Sequence, residues 1–279
     1  MYVQLEIFFF VLIIKMINRI SGFVIALEGN GTDVANINKY LPNVRVFHAI
    51  DTRKDSLQNM PVHPGALAGI QKTYFSDSFQ LPSKGAIGCA LSHYAVWKQC
   101  LVNQHPVIVM EEDVMFKNAN TAEAVLNALN NLPPDAMYAS LIYTPRSVWN
   151  YASPDRRAVD SEYVGWYELN LGIVGTQCYY LSPKGAKILL QHAYPVVFQV
   201  DVYISMVAYT NTDFRAYATK NNPYSIFQYL RDAGNSTIGY RKGSLRMFVP
   251  ESNWFYVFWC ALVVVLVVLC VVGWKKRKK

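Results

Sequence analysis

Three consecutive carboxylates, Glu111, Glu112 and Asp113, are the residues of this chain with the clearest capacity for chemistry. They follow the apolar run at residues 107–110, whose composition predicts a buried β-strand. Because burying an unpaired anion is costly, we expect the three side chains at the open end of that strand. Carboxylate oxygens suit Mg²⁺ or Mn²⁺, so the run predicts a divalent-cation site. The alternative is a strand that ends in an acidic surface turn.

The spacing within this run selects the predicted metal ligands. Side chains two positions apart on an extended segment point the same way. Glu111 and Asp113 are therefore predicted to bind the metal together, whereas Glu112 would face the other side of the pleat.

The elements that must position these carboxylates alternate between strand and helix patterns. Strands are predicted at residues 22–27, 44–49, 107–110, 138–143 and 173–181, and helices at 87–102, 120–132, 183 onward and 201–209. Ser182 and Pro183 form a typical helix start. This alternation predicts an α/β fold with a mostly parallel central sheet flanked by helices. Ligands of such sheets gather at the carboxyl ends of the strands, where the carboxylate run lies.

One polar and aromatic segment, residues 144–170, does not fit this alternation. Its composition is more typical of a substrate loop than of a core element. Within it Trp166 is predicted to be a platform for an acceptor, in contrast to Trp97, which is predicted to be core.

The C-terminal part of the sequence predicts a membrane anchor. Residues 254–274 contain no charge and no proline, and their length is close to the roughly 20 residues that a helix needs to cross a bilayer. Aromatic residues crowd the start of this segment and Trp274 closes it, as in an interfacial belt. We therefore predict a transmembrane helix at residues 254–274, followed by a basic tail at 275–279.

The tail also explains the charge of the protein. The chain carries a net charge of +7, of which the last five residues supply five, so the remainder carries only about +2. No other basic stripe with interleaved aromatic residues occurs in the sequence. We therefore expect no nucleic-acid partner.

The N-terminal apolar segment at residues 7–14 is too short to span a bilayer. Its positive charges, Lys15 and Arg19, follow it, which is the wrong flank for a signal peptide. A weak uncleaved signal is one interpretation; we favour a strand or interfacial segment upstream of a start at Met16. The predicted division of the chain is an extension at 1–19, a globular domain at 20–250, the membrane helix at 254–274 and the tail at 275–279.

The cysteines do not form a disulfide pattern. Cys260 and Cys270 lie in the predicted membrane helix, which leaves the odd set Cys89, Cys100 and Cys178. Cys89 and Cys100 share one apolar helical stretch and are predicted to be core residues rather than metal ligands. The set mildly favours a reducing compartment.

Five segments follow one another in an order that points to a known family. They are the Gly-Cys-Ala-Leu-Ser-His block at 88–93, the carboxylate run at 109–114, the segment at 175–187, Val200-Asp201, and residues 223–228 with 236–238. Together they resemble glycosyltransferase family 25, which contains lipopolysaccharide-type β-galactosyltransferases and procollagen galactosyltransferases. The resemblance spans about residues 85–240.

The resemblance implies a GT-A fold and an inverting transfer of a hexose, usually galactose from UDP-galactose, to a glycan or protein hydroxyl. It also implies assistance by Mn²⁺ or Mg²⁺, which would stabilise the departing diphosphate. An inverting transfer needs a base on the far side of the sugar. Asp201, between two valines and remote in sequence from the carboxylate run, is the predicted base; the alternative is that it only caps its helix.

The same motifs imply contacts with the nucleotide-sugar donor by Ser92, His93, Glu112 and Gln228. Taken alone, His93 on an apolar helix would be more typical of a core histidine, and Gln228 could equally be a structural amide.

Two departures from the family pattern motivate a second hypothesis. Glu112 stands where the family usually has aspartate. The family's opening motif, an asparagine–leucine followed by two spaced arginines, is absent, and residues 26–31 stand in its place. The alternative function is a catalytically inactive family member with a binding or structural role at the membrane.

The sequence leaves the side of the membrane open. The basic tail predicts a cytosolic C-terminus and hence a lumenal domain, which would need an N-terminal signal. The unpaired cysteines suit the cytosol instead. We slightly favour the lumenal domain, in the Golgi or endoplasmic reticulum.

Overall fold

The computed structural model describes residues 21–28, 37, 41, 44–54, 56–67, 81, 83–112, 114–116, 119–141, 158–169, 175–220 and 227–229. Its strands are β1 (Ser21–Ala26), β2 (Val44–His48), β3 (Val107–Glu111), β4 (Val114–Phe116), β5 (Tyr138–Ser140), β6 (Ala158–Asp160), β7 (Trp166–Leu169), β8 (Cys178–Leu181), β9 (Ala216–Thr219) and β10 (Phe227–Tyr229). Its helices are α1 (Lys84–Asn103), α2 (Ala119–Asn130), α3 (Pro183–Gln191) and α4 (Val200–Thr210), with a 3₁₀ turn at Leu57–Asn59.

Eight of the described strands form one mixed sheet in the order β2-β1-β3-β8-β5-β9-β7-β6. β1 pairs in parallel with β2 and β3, and β5 pairs in parallel with β9. β8 is antiparallel to β3 and β5, and β7 is antiparallel to β6 and β9. Six strands therefore run in one direction and two in the other, so the prediction of a mostly parallel α/β sheet is confirmed. A separate antiparallel pair joins β4 and β10.

Alternation along the central strands divides the core between two faces. Phe23 and Val109 lie in the cluster that contains residues of α1, α3 and α4, whereas Val24 and Met110 lie in the cluster that contains residues of α2. Because successive strand residues face opposite sides, the next position, Glu111, falls on the α1 face.

The predicted helices are all present, with shifted ends. α3 begins as predicted, since the Ser182 side chain accepts a hydrogen bond from Gly185 N at 3.1 Å and Pro183 follows it. The strand predicted at 173–181 is shorter, because it begins only at Cys178.

The prediction of a substrate loop at 144–170 is wrong for its described part, residues 158–169. These residues supply β6 and β7 at one edge of the large sheet. Trp166, the predicted acceptor platform, is 2% exposed, and its Nε1 donates to the Asn131 carbonyl at 2.8 Å. Trp166 is therefore a core residue. Its burial is possible because the carbonyl at the end of α2 satisfies the indole N–H. Trp97 is fully buried, as predicted.

Within the described part of the chain, no helix has the length and apolar character needed to cross a membrane. The predicted membrane helix at 254–274 and the apolar segment at 7–14 both lie outside the described residues.

Candidate active site

Glu111 ends β3 on the face covered by α1. Its Oε1 accepts a hydrogen bond from the Thr176 hydroxyl at 2.6 Å and lies 3.5 Å from His93 Nε2. The side chain is 19% exposed, so it borders solvent at the carboxyl end of the strand. Burial raises the pKa of Glu111, but the neighbouring His93 and Thr176 outweigh that effect and lower it overall. The carboxylate is therefore the charged form at neutral pH.

His93 reaches Glu111 from the middle of α1. The imidazole is completely buried, and its Nδ1 lies 2.8 Å from the Tyr179 hydroxyl. That hydroxyl also accepts a hydrogen bond from Trp97 Nε1 at 2.8 Å. Nε2, the nitrogen that faces Glu111, has no hydrogen-bond partner among the described residues. The predicted donor contact of His93 stays a prediction.

Asp201 lies in the first turn of α4, one residue after its start. Its Oδ2 accepts a hydrogen bond from Gly175 N at 3.1 Å, and its Oδ1 accepts one from Val202 N at 2.8 Å. The N-cap position belongs to Gln199 and not to Asp201. Burial and the negative charge of Glu111 raise the pKa of Asp201, even though the two backbone N–H groups act in the opposite direction.

Two consecutive residues connect Glu111 with Asp201. The Gly175 N–H donates to Asp201, and the Thr176 hydroxyl donates to Glu111. Gly175 has φ +81°, a backbone conformation that favours glycine. The segment before β8 thereby holds two carboxylates from different elements beside each other. Sequence reasoning missed Thr176, although the motif at 175–187 contained it.

Glu112 diverges from Glu111, as the alternation predicted. Its Oε2 accepts a hydrogen bond from Leu27 N at 2.9 Å, which ties the end of β3 to the residue that follows β1. This contact joins the carboxyl ends of two neighbouring strands inside the sheet. The predicted role of Glu112 toward the donor stays a prediction.

Ser92 joins α1 to the segment that follows β2. Its hydroxyl accepts a hydrogen bond from Ile50 N at 2.8 Å and donates one to the Gly88 carbonyl at 2.6 Å. A Cβ at Gly88 would lie 2.3 Å from the Ile50 carbonyl oxygen, so only glycine allows this close approach. The block at 88–93 therefore docks α1 against the strand ends, and Ser92 has a structural role whether or not it contacts a donor.

Two predicted site residues cannot be placed beside this group. Asp113 lies outside the described residues. Gln228 lies in β10, opposite Met115 of β4, and its side chain is outside the described part. Their predicted roles stay predictions.

Comparisons with known proteins place the chain in a family. The sequence model of Glycosyltransferase family 25 (LPS biosynthesis protein) matches residues 23–204. Procollagen galactosyltransferase 2 of Homo sapiens is 23% identical over 223 residues, which cover 70% of this chain and 33% of that protein. The chain thus spans about one third of the length of this relative.

Two solved structures show weaker likeness. Mouse xyloside xylosyltransferase 1 in its apo form is 13% identical, with 69% of this chain and 68% of that chain covered and a TM-score of 0.33. A UDP-glucose pyrophosphorylase complexed with UDP-glucose is 14% identical, with coverages of 85% and 98% and a TM-score of 0.34. Neither likeness is close enough to support an argument.

The family match covers more than half of the chain and includes β3, α1, the segment before β8 and the start of α4. It confirms the resemblance carried by the sequence motifs. The chain belongs to glycosyltransferase family 25.

Proposed function

We propose that this glycosyltransferase moves a hexose, with galactose as the first candidate, from a nucleotide-sugar donor such as UDP-galactose to a hydroxyl of a glycan or protein. The transfer inverts the anomeric centre and depends on Mn²⁺ or Mg²⁺. The observation that carries this proposal is the convergence of Glu111 and Asp201 on Gly175 and Thr176. Glu111 is available to bind a cation, and Asp201 is available to take the proton of the acceptor hydroxyl.

Glu111 fits the first task. It is a charged oxygen donor at the carboxyl end of a central strand, where ligands of α/β sheets bind, and Thr176 fixes its orientation. Together with Asp113 it would hold the cation, because hard oxygen ligands suit Mn²⁺ and Mg²⁺. A cation there offsets the charge that develops on the leaving diphosphate.

Asp201 fits the second task. A general base is most effective when its pKa approaches the working pH, and the pKa of Asp201 is raised. Its two backbone hydrogen bonds hold the carboxylate in place at the start of α4. Asp201 would accept the proton of the acceptor hydroxyl as the new glycosidic bond forms.

The sheet supports the further proposal of a GT-A fold. Three parallel strands, β2, β1 and β3, are followed by the reversed strand β8. The candidate site lies where β3 meets β8, so the strand direction reverses beside the proposed catalytic residues.

The test is sugar release or transfer from a panel of nucleotide sugars, measured with Mn²⁺ and again with EDTA. We expect one UDP-hexose, led by UDP-galactose, to be consumed only when the cation is present. Asp113→Asn should abolish the Mn²⁺-dependent rate while the protein keeps its far-UV circular dichroism spectrum. Wild-type metal dependence in this variant would contradict the assignment of Asp113.

The alternative is a catalytically inactive member of the family with a binding or structural role. It is favoured by Glu112, whose carboxylate bonds the backbone of Leu27, and by the unusual residues 26–31. Consumption of none of the nucleotide sugars in the panel, by a folded protein that still binds UDP, would support this alternative.

We further propose that residues 254–274 anchor the protein in the membrane, that residues 20–250 form the catalytic domain, and that residues 275–279 form a short basic tail. A lumenal domain in the Golgi or endoplasmic reticulum is the orientation we favour, because five basic residues follow the span. Protease treatment of sealed microsomes tests the orientation. Digestion of the domain without detergent contradicts a lumenal site, and glycosylation at Asn235 contradicts a cytosolic one.

A further inference from the structure

Three side chains with different metal-binding atoms meet beside the end of β3. The sulfur of Cys89, a ring nitrogen of His93 and a carboxylate oxygen of Glu111 lie within 4.8 Å of one another. Cys89 and His93 are four residues apart on α1, so one face of the helix presents both of them. Glu111 comes from β3. A helix and a strand therefore supply three potential ligands to one point.

The nitrogen of His93 that faces Glu111 is buried without a hydrogen bond in the described part of the chain. His93 is completely buried, and its Nε2 makes no hydrogen bond to any described residue. Nε2 and Glu111 Oε1 are 3.5 Å apart, longer than an ordinary hydrogen bond. Two ligand atoms on a tetrahedral Zn²⁺ lie about 3.4 Å apart, given metal–ligand distances of about 2.0–2.1 Å. The separation matches an edge of a zinc tetrahedron.

Neighbouring groups support the two harder ligands in the way that metal sites require. Metal-binding histidines commonly donate their second ring N–H to an oxygen, which fixes the ring and its tautomer. His93 Nδ1 lies 2.8 Å from the Tyr179 hydroxyl, and Trp97 Nε1 holds that hydroxyl in turn. The Thr176 hydroxyl holds the Glu111 carboxylate. Both ligands are therefore oriented before any ion arrives.

Charge and access also fit a divalent ion. A Cys89 thiolate and the Glu111 carboxylate together carry two negative charges, which would neutralise Zn²⁺ in a partly buried site. Cys89 is half-buried and the Glu111 side chain is 19% exposed, so an ion could enter from solvent. A mixed sulfur, nitrogen and oxygen set favours zinc over Mg²⁺ or Mn²⁺.

We propose that Cys89, His93 and Glu111 form a zinc-binding site, with a fourth position open to solvent. The site would share Glu111 with that of the proposed donor cation, but its other two ligands, Cys89 and His93, come from α1. Its existence does not depend on the proposed transfer reaction. This proposal revises the prediction from the sequence that Cys89 is a core residue rather than a ligand.

Cobalt titration of the metal-free full chain in detergent tests the site, because Co²⁺ bound to a thiolate absorbs in the near ultraviolet. We expect one equivalent of Co²⁺ to give this absorption and Zn²⁺ to remove it by displacement. Cys89→Ser should abolish the absorption. It should also weaken Zn²⁺ binding by at least about tenfold, because even the loss of a residue that only supports a ligand costs that much.

Two further variants establish which thiol and which carboxylate belong to the zinc site. Cys100→Ser is the matched control, since it removes a buried thiol from the same helix, and it should keep the absorption. Asp113→Asn should also keep it, even though that variant is expected to lose Mn²⁺-dependent transfer. A wild-type titration without the thiolate absorption, or a folded Cys89→Ser protein that binds Zn²⁺ as tightly as the wild type, would overturn the proposal.

Discussion

Polar groups meet at both ends of the large sheet, but the two groups differ in how completely they are paired. At the amino ends of β5 and β9, Arg215 bonds Asp135 at 3.1 Å and Glu168 at 2.8 Å, and Tyr217 donates to Asp135 at 2.9 Å. We call these four residues the amino-end network. At the carboxyl end of β3 lie Glu111, His93, Thr176 and Asp201, which we call the carboxyl-end cluster.

The amino-end network is fully paired, and its charged side chains are partly exposed. The Arg215 side chain is 41% exposed and that of Asp135 is 38% exposed. Although burial raises the pKa of Asp135, its contacts with Arg215 and Tyr217 lower it overall. Each charge in this network has an opposite charge beside it, which is the arrangement of a structural ion-pair network at a protein surface.

The carboxyl-end cluster is buried and incomplete. It contains two carboxylates, and His93 Nε2 has no hydrogen-bond partner among the described residues. Burial and, to a lesser extent, the nearby charge of Glu111 raise the pKa of Asp201. Such an arrangement is costly in the absence of a ligand, and perturbed groups of this kind concentrate at functional sites. The comparison therefore supports the proposal that the reaction takes place at the carboxyl end of β3, and it gives the amino-end network a structural role.

The largest expected effect is that of Asp201→Asn. Removal of a general base costs on the order of 10²–10⁴ in rate, and we expect that loss in kcat with little change in the KM for the donor. Asp135→Asn, the same change in the amino-end network, should leave kcat within about twofold, because it touches no reacting group. An Asp201→Asn enzyme within tenfold of the wild-type rate would reduce Asp201 to a residue that stabilises the start of α4.

The pH dependence of transfer sharpens this prediction. A base acts in its deprotonated form, so the rate should rise with pH through the pKa of Asp201. Because that pKa is raised, the rising limb should lie above the roughly 3.9 of a solvated aspartate. A kcat profile measured from acidic to neutral pH checks this, and Asp201→Asn should lack the limb. A wild-type limb at the ordinary aspartate pKa would contradict the assignment.

Gly88→Ala should lower the free energy of unfolding, because it disturbs the packing of α1 against the segment after β2. It removes no polar group of the carboxyl-end cluster. The new Cβ would meet the Ile50 carbonyl oxygen and Thr52 Oγ1, and overpacking of this kind costs about 1–3 kcal/mol. Denaturant unfolding of both proteins measures the difference. Gly65→Ala is the control, because the nearest atom there belongs to the exposed His63 side chain at 3.2 Å. Equal stability of Gly88→Ala and the wild type would show that α1 can shift away from β2.

Arg215→Gln should have the smallest effect. Exposed ion pairs contribute about 0–1 kcal/mol, so the free energy of unfolding should fall by no more than about 1 kcal/mol and transfer should be unchanged. Thermal unfolding and a transfer assay check both expectations. A loss of transfer in a stably folded variant would mean that the amino-end network takes part in function after all.

The difference between the two ends also shows what the sequence alone can predict. Strand alternation was enough to separate Glu111 from Glu112, because the direction of a side chain on a strand follows from its position. The N-cap at Ser182 was equally local. Both predictions depend on neighbours only a few residues away.

The missed features depend on neighbours that are distant in sequence. The composition around Trp166 predicted a substrate loop, but the burial of this residue depends on the Asn131 carbonyl at the end of α2. Thr176 meets Glu111 across 65 positions. Cys89 and His93 share a helix face by spacing alone, whereas the third member of their group comes from β3 only after α1 docks on the sheet. Tertiary packing, and not local propensity, creates these contacts.

The most direct test of the comparison is one substitution made at each end of the sheet. Glu111→Gln and Glu168→Gln both replace a carboxylate by an amide of the same shape, and the measurement is the Mn²⁺-dependent rate of transfer from the preferred nucleotide sugar. We expect Glu111→Gln to lower kcat by at least about a hundredfold, since a cation that stabilises a leaving group is worth several kcal/mol. Glu168→Gln should remain within about twofold of the wild type. Comparable rates for the two variants would contradict the assignment of catalysis to the carboxyl end of β3.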